Sequence, residues 1–254
     1  MRAYIDESGD AGIGRGTRWL VFGMGMLGDG DVVSAEGVLQ KALSEIFGEK
    51  NKHYFFHFSG MGHSSKLAAY EYFVTAPWIG CLLARDTTEA RSLPPDFRPE
   101  VALYTQMVSY LLEVVSRRAA HLQEEATIYI GARDINRSTL PRFLAYVQQE
   151  VDRGALGIDS RWISMHRIHV IDVVEQMQHV LFGLADGLAH AGHSALEPHS
   201  PSPRREEHYY RVVVQKLWGR DPLHGVNVYD HGLLFRPKRR WPEFLQEYPW
   251  LVLS

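Results

Sequence analysis

The order of apolar, glycine-rich and polar segments predicts an α/β protein: a mixed five-stranded sheet flanked by helices. A helical insertion follows the second strand at about residues 30–76, and residues 196–254 form an extension packed on the main domain of residues 1–195. Three observations carry this. Short runs rich in β-branched and aromatic residues alternate with longer stretches whose apolar residues recur at helical spacing. The first two strand-like runs are joined by a glycine-rich segment for which a hairpin is the natural connection. The chain has 254 residues, 45% hydrophobic and 22% charged, which suits one large folded domain and neither disorder nor a coiled coil.

Arg2 to Asp6 reads as a strand, because Tyr4 and Ile5 suit a pleated surface and Gly9, Gly12, Gly14 and Gly16 crowd the segment that follows. Trp19 to Leu27 is a second, near-continuously apolar strand, weakened by Gly23 and Gly25. Val32 to Phe47 is helical by the spacing of Val38, Leu39, Ala42, Leu43 and Ile46, with Gly48 as its cap. A helix from Ser64 or Ser65 to Thr75 stops before Pro77, and Trp78 to Arg85 is the third strand. Pro99 opens a long helix to about Gln123; Thr127 to Gly131 is the fourth strand and Leu140 to Val151 a further helix. Trp162 to Ile171 is the fifth strand, and a helix from Asp172 or Val173 to about Ala191 completes the core. Glu206 to Trp218 reads as helix, and the tail is rich in Pro, Gly and aromatics.

Composition excludes several function classes. The longest apolar runs, Trp19 to Leu27 and Trp78 to Ala84, fall short of the roughly 18 residues a membrane span needs, and no signal peptide opens the chain, so a cytoplasmic protein without membrane contact is expected. Cys81 is the single cysteine, which excludes an internal disulfide and a cysteine-based zinc cluster. With 27 Lys and Arg against 30 Asp and Glu the formal charge is −3, so any polyanion must be met by local patches.

Asp6 stands at the carboxyl end of the first strand beside Glu7, where α/β sheets commonly border a ligand crevice; the same acids would also serve as a turn bonding backbone N–H groups. On a helical wheel Asp172, Glu175, His179, Gly183, Asp186, His190 and His193 form one stripe within roughly 80°, opposite Val173, Met177, Leu181, Leu184 and Leu188. A solvated polar face would look similar, yet no Lys or Arg occurs from Asp172 to Leu196. Acids and imidazoles without bases suit a cation site or a proton-transfer site.

The opening Tyr4-Ile5-Asp6-Glu7-Ser8-Gly9-Asp10, the glycine-containing second strand and the late Leu184-Ala185-Asp186-Gly187 together resemble a bacterial family catalogued as a domain of unknown function, number three thousand eight hundred. The resemblance covers most of residues 1 to about 195. It implies a ribonuclease-H-like fold and a metal-dependent nuclease whose principal acids map onto Asp6 and Asp186. Three positions depart from the family pattern. Gly183 stands where Gln is usual, Phe56 stands where an acid often precedes His57, and the Asp expected at the end of the fourth strand comes only three residues later, as Asp134.

Phosphodiester hydrolysis needs an activated water and stabilised charge on the attacking and leaving oxygens, which two Mg²⁺ or Mn²⁺ ions about 3.5–4 Å apart supply. Hard cations take carboxylate oxygens, so Asp6 and Asp186 are the expected ligands, with Glu7 or Asp134 completing the catalytic cage. His179 and His190 are expected as further metal ligands or as proton carriers, a set that would favour Mn²⁺ or Zn²⁺ over Mg²⁺ if imidazoles dominated. Arg133 and Arg137 suit a clamp on substrate phosphate, with His57 beside them. The basic run Arg236 to Arg240, flanked by Phe235 and Trp241, suits a phosphate backbone and a stacked base, and equally a solvated tail. The expected activity is a divalent-metal-dependent nuclease or related phosphodiester hydrolase acting on DNA or RNA. Its rivals are a catalytically reduced ribonuclease-H-like binding or regulatory module and an ATP-using phosphotransferase.

Overall fold

The computed structural model describes residues 1–9, 17–48, 55–88, 99–131, 168–174, 179–198, 205–219 and 232–251. Six strands form one mixed sheet: β1 (Arg2–Ser8), β2 (Trp19–Leu27), β3 (Ile79–Asp86), β4 (Ala126–Gly131), β5 (Ile168–Val174) and β6 (Leu233–Arg236). Their order is β5-β4-β1-β2-β3-β6. β2 runs antiparallel to both β1 and β3, while β4 is parallel to β1, β5 to β4 and β6 to β3, so β2 alone runs against the rest. The predicted coarse class holds, and the sheet gains a sixth strand from the C-terminal extension.

The pleat divides the molecule into two cores. Ala3 and Ile5 of β1 face one side with Leu103, Met107, Leu111 and Val115 of α3 (Pro99–Leu122). Tyr4 faces the other, with α1 (Val32–Phe47), α2 (His63–Thr75) and α4 (Phe182–Leu196). The extension closes this second core. Phe244 of α6 (Trp241–Glu247) and Tyr248 pack on Trp19, Trp250 packs on Tyr248, and α5 (His208–Val213) adds Tyr209 and Tyr210. None of the described helices is long and apolar enough to cross a membrane.

Several boundaries depart from the sequence reading: the first strand runs on to Ser8 and α2 opens at His63, ahead of Ser64 and Ser65. The fifth strand extends through Val174, and the last core helix begins only at Phe182. Val170, Ile171, Val173 and Val174 are β-branched and favour the strand, and a buried parallel strand carries the same apolar run as a buried helix. The stripe drawn from Asp172 therefore breaks, because Asp172 pairs with Tyr129 in the sheet. Glu206 to Trp218 is a shorter helix, α5, followed by a 3-10 turn at Val214–Lys216. The helix expected at Leu140 to Val151 lies outside the described residues.

α4 is buried along nearly its whole length, and Gly23 shows how closely it lies on the sheet. A Cβ at Gly23 would overlap the Ala185 carbonyl oxygen and come within 2.5 Å of the Ala189 nitrogen. The glycine that weakens β2 as a strand is thus what admits the helix backbone.

Candidate functional site

Tyr4 and Asp6 lie two apart on β1 and so share the α4 face, where Asp6 is 1% exposed. The cross-strand partner of Asp6 is Gly23, the residue against which Ala185 and Ala189 rest. Two contacts fix how α4 runs along β1. The Phe182 ring meets Tyr4 edge-on at 5.3 Å, and the His193 ring lies 3.0 Å from where a Gly9 Cβ would stand. Eleven residues of α4 and the five steps from Tyr4 to Gly9, just past the end of β1, both advance about 16.5 Å, so the two segments run roughly in step. Asp186, four residues beyond Phe182, rises about 6 Å; Asp6, two beyond Tyr4, about 6.6 Å. At about 100° per residue Phe182, Asp186 and His193 fall within roughly 40° of one another. Asp186 thus stands on the β1 flank of α4, level with Asp6.

Asp186 is buried, and its Oδ2 accepts the Phe58 N–H at 2.9 Å. That donor comes from the insertion, where Phe58–Gly60 forms a 3-10 turn. The same turn sets His57 Nδ1 3.7 Å from Asp186 Oδ2, while His57 Nε2 bonds Ser59 Oγ at 2.8 Å. His57, expected on the substrate side with Arg133 and Arg137, thus lies beside Asp186.

Other predicted members are placed elsewhere. Glu7 follows Asp6 by one residue, so the pleat turns it to the opposite face, where the Tyr104 hydroxyl of α3 donates to Glu7 Oε2 at 3.4 Å. Glu7 cannot complete a cage around Asp6 and Asp186. His179 precedes α4, and its ring lies 5.0 Å from Tyr129 and 6.0 Å from Tyr4, among aromatics beside the sheet rather than with the acids. His190 is buried one turn beyond Asp186, with Phe58 and Tyr209 ring centroids at 5.9 and 5.8 Å and Ser194 Oγ 3.3 Å from Nε2. Asp134, Arg133 and Arg137 lie outside the described residues.

Sequence reasoning missed a basic and phenolic group beside Asp186. Burial lowers the Lys66 ammonium below its ordinary value, and the Asp186 charge pulls it part of the way back. Burial, then the same carboxylate, pushes the Tyr70 phenol well above its usual range, and its hydroxyl donates to the Gly187 carbonyl at 2.9 Å. His63 Nδ1 bonds the Tyr209 hydroxyl, and Lys66 Nζ lies 5.9 Å over the Tyr209 ring. His63, Lys66 and Tyr70 occupy one face of α2 at i, i+3 and i+7, a signal legible in the sequence.

Two departures from the family pattern meet in space. A Cβ on Gly183 would lie 2.6 Å from Cδ2 of Phe56, so this aromatic ring fills the room a side chain at position 183 would need. An apolar contact occupies positions where the resemblance implies polar residues.

Asp6 and Asp186 are both buried, and His57 and the half-buried Lys66 ammonium lie beside Asp186. Like charges brought together out of water repel unless a proton or a cation lies between them. Among the described residues no group of three or more His, Cys, Asp and Glu side chains is placed to hold a metal ion. Comparison with protein-family models, with curated proteins and with solved structures finds no match to this chain.

Proposed function

We propose that the chain is a divalent-metal-dependent nuclease or related phosphodiester hydrolase of ribonuclease-H-like fold. The observation that carries this reading is the common level of Asp6 and Asp186 on the facing flanks of β1 and α4. The sheet supports it: three consecutive strands β1, β2 and β3 with β4 and β5 added on the free side of β1, and only β2 antiparallel.

The donor chemistry fits a hard cation such as Mg²⁺ or Mn²⁺, since both groups offer carboxylate oxygens and Asp186 spends Oδ2 on a single backbone N–H. Asp6 and Asp186 would hold the ion, which when bound supplies an activated water and charge neutralisation. The Phe58 N–H orients Asp186. His57, exposed at the rim and tied to Ser59, moves a proton at Nδ1. Lys66 presents a positive, hydrogen-bonding group to an anionic substrate, DNA or RNA, beside Asp186.

The test is thermal unfolding with and without millimolar Mn²⁺, alongside cleavage of labelled single-stranded and duplex DNA and RNA. A cation at about 100 times its Kd stabilises the fold by about 2.7 kcal/mol, a shift of several degrees. Asp6→Asn and Asp186→Asn should each abolish both the shift and the cleavage. Full cleavage by either variant overturns the proposal.

A second reading, a catalytically reduced binding or regulatory module, is favoured by one observation: Phe56 on Gly183 replaces polar positions of the resembled family with an apolar contact. Nucleic-acid binding with no Mn²⁺ shift and no cleavage selects it.

A further inference from the structure

β6 is an outer strand of the sheet, three places and so about 14 Å from β1, which carries Asp6. Beside it a cavity of about 340 Å³ is lined by Phe235, Arg236, Lys238, Arg239, Trp241 and Pro242. That size lies within the range of small-molecule sites, about 300–1,000 Å³. The lining joins two kinds of chemistry. Trp241 is half-buried, its ring centroid 5.1 Å from that of Phe235 at an interplanar angle of 57°, which makes an aromatic wall. Lys238 and Arg239 follow on a 3-10 turn and are exposed, and the Arg236 guanidinium stacks 4.2 Å over Tyr110.

The local charge is positive although the chain as a whole is acidic. Residues 232–251 carry four cations, Arg236, Lys238, Arg239 and Arg240, against two acids, Glu243 and Glu247. Glu243 accepts from Arg240 at 2.7 Å, Glu247 from Arg18 and Arg205 at 2.7 and 3.2 Å, and Asp86 from Arg240 at 3.0 Å. An aliphatic ligand would make no use of the cations, and a bare anion would make no use of the aromatic wall. A planar ring joined to a phosphate uses both.

We propose that this cavity binds a nucleobase together with its phosphate, the base against Trp241 and the phosphate between Lys238 and Arg239. The ligand is a free mononucleotide or one nucleotide of a single strand, since both present the same group. This site goes beyond the nuclease reading and does not need the Asp6–Asp186 pair.

The experiment titrates the full chain with AMP and with inorganic phosphate by calorimetry, and with a labelled eight-residue oligothymidylate by fluorescence anisotropy. Stacking and phosphate contacts of this kind predict that Trp241→Leu weakens binding about tenfold, and Lys238→Gln with Arg239→Gln about tenfold with a shallower salt dependence. Trp241→Phe keeps a stacking face and should retain most of the affinity. Melting temperatures check that the variants fold. Tight AMP binding identifies a free nucleotide, and binding of the oligonucleotide alone identifies a strand. Run in chelator, the AMP titration should be unchanged in Asp6→Asn and Asp186→Asn, so failure of the nuclease reading and failure of this one are separate results. Absence of AMP and oligonucleotide binding, equal binding by the Lys238/Arg239 variant, or inorganic phosphate binding as tightly as AMP overturns the proposal.

Discussion

Asp86, at the end of β3, and Asp186, on α4, are both buried carboxylates, and the fold treats them in opposite ways. Asp86 Oδ1 accepts from the Thr88 N–H at 3.0 Å and the Thr88 hydroxyl at 2.6 Å. Its Oδ2 accepts from Arg18 Nε at 3.1 Å and Arg240 Nη1 at 3.0 Å. Four donors are about all that a carboxylate can accept. Arg18 then forks onto Glu247 at 2.7 and 3.0 Å, tying the C-terminal extension to the end of the sheet. Asp186 has one backbone donor and a histidine at 3.7 Å. A saturated carboxylate holds structure together; one with spare lone pairs can still take a ligand.

The comparison is tested most severely at Asp86. Asp86→Ala removes the acceptor of Arg18 Nε, Arg240 Nη1 and Thr88, a loss of about 3 kcal/mol. For a chain of this size that is a fall in melting temperature of roughly 6–12 °C. A drop of under about 2 °C by calorimetry would show that the network is replaceable and the contrast with Asp186 empty.

Gly23→Ala comes next. A methyl there meets helix backbone rather than a flexible side chain, so α4 must shift, at about 2 kcal/mol. Because a shift of α4 moves Asp186 relative to Asp6, the variant should also lose the Mn²⁺-dependent rise in melting temperature. Gly37→Ala on the exposed face of α1, where a Cβ meets nothing within 4 Å, is the control. It should stabilise by about 0.5–1 kcal/mol.

Acid sensitivity separates the network from its surroundings. Burial alone would raise Asp86, but the Thr88 hydrogen bonds and Arg18 outweigh it and hold the group below its usual value. Glu247 is held low in the same way, burial being outweighed by hydrogen bonds from Arg18 and Tyr248. Depressed carboxylates give stability that is present above their unfolded values and lost as pH falls through the folded ones. Urea unfolding should therefore be nearly independent of pH from about 7 to 5 on their account and weaken below about pH 4.5. Asp86→Asn should start less stable and lose less on acidification; an unchanged acid slope would exclude Asp86 as a source.

Much of the fold was legible because its signals are local. The hairpin glycines, the spacing of Leu39, Ala42 and Leu43, and Pro99 at the start of α3 depend on neighbours in sequence. The β5–α4 region was not, since Val170 to Val174 reads the same whether it is buried as a strand or as a helix. Its misreading carried His179 and Asp172 into a stripe they do not join. Asp6 and Glu7 illustrate the reverse case. Adjacent residues of a strand face opposite sides, so the separation of Glu7 from the site follows from the pleat once Arg2–Ser8 is taken as strand throughout. The contact of Phe56 with Gly183 joins residues 127 positions apart and carries no local signature.

The smallest expected effect is the most informative about Asp186. Asn is nearly isosteric, its side-chain oxygen can keep the Phe58 N–H, and the change removes one of two negative charges from a buried flank. Lost attraction to Lys66, which is partly solvated, offsets that relief. The net change should lie within about 0.5 kcal/mol of zero without metal, against about 3 kcal/mol for the alanine variant of Asp86. Denaturant unfolding of both variants in chelator measures the contrast directly. If Asp186→Asn proves as costly as Asp86→Ala, Asp186 is a structural anchor like Asp86, and its spare oxygen is no argument for a bound cation.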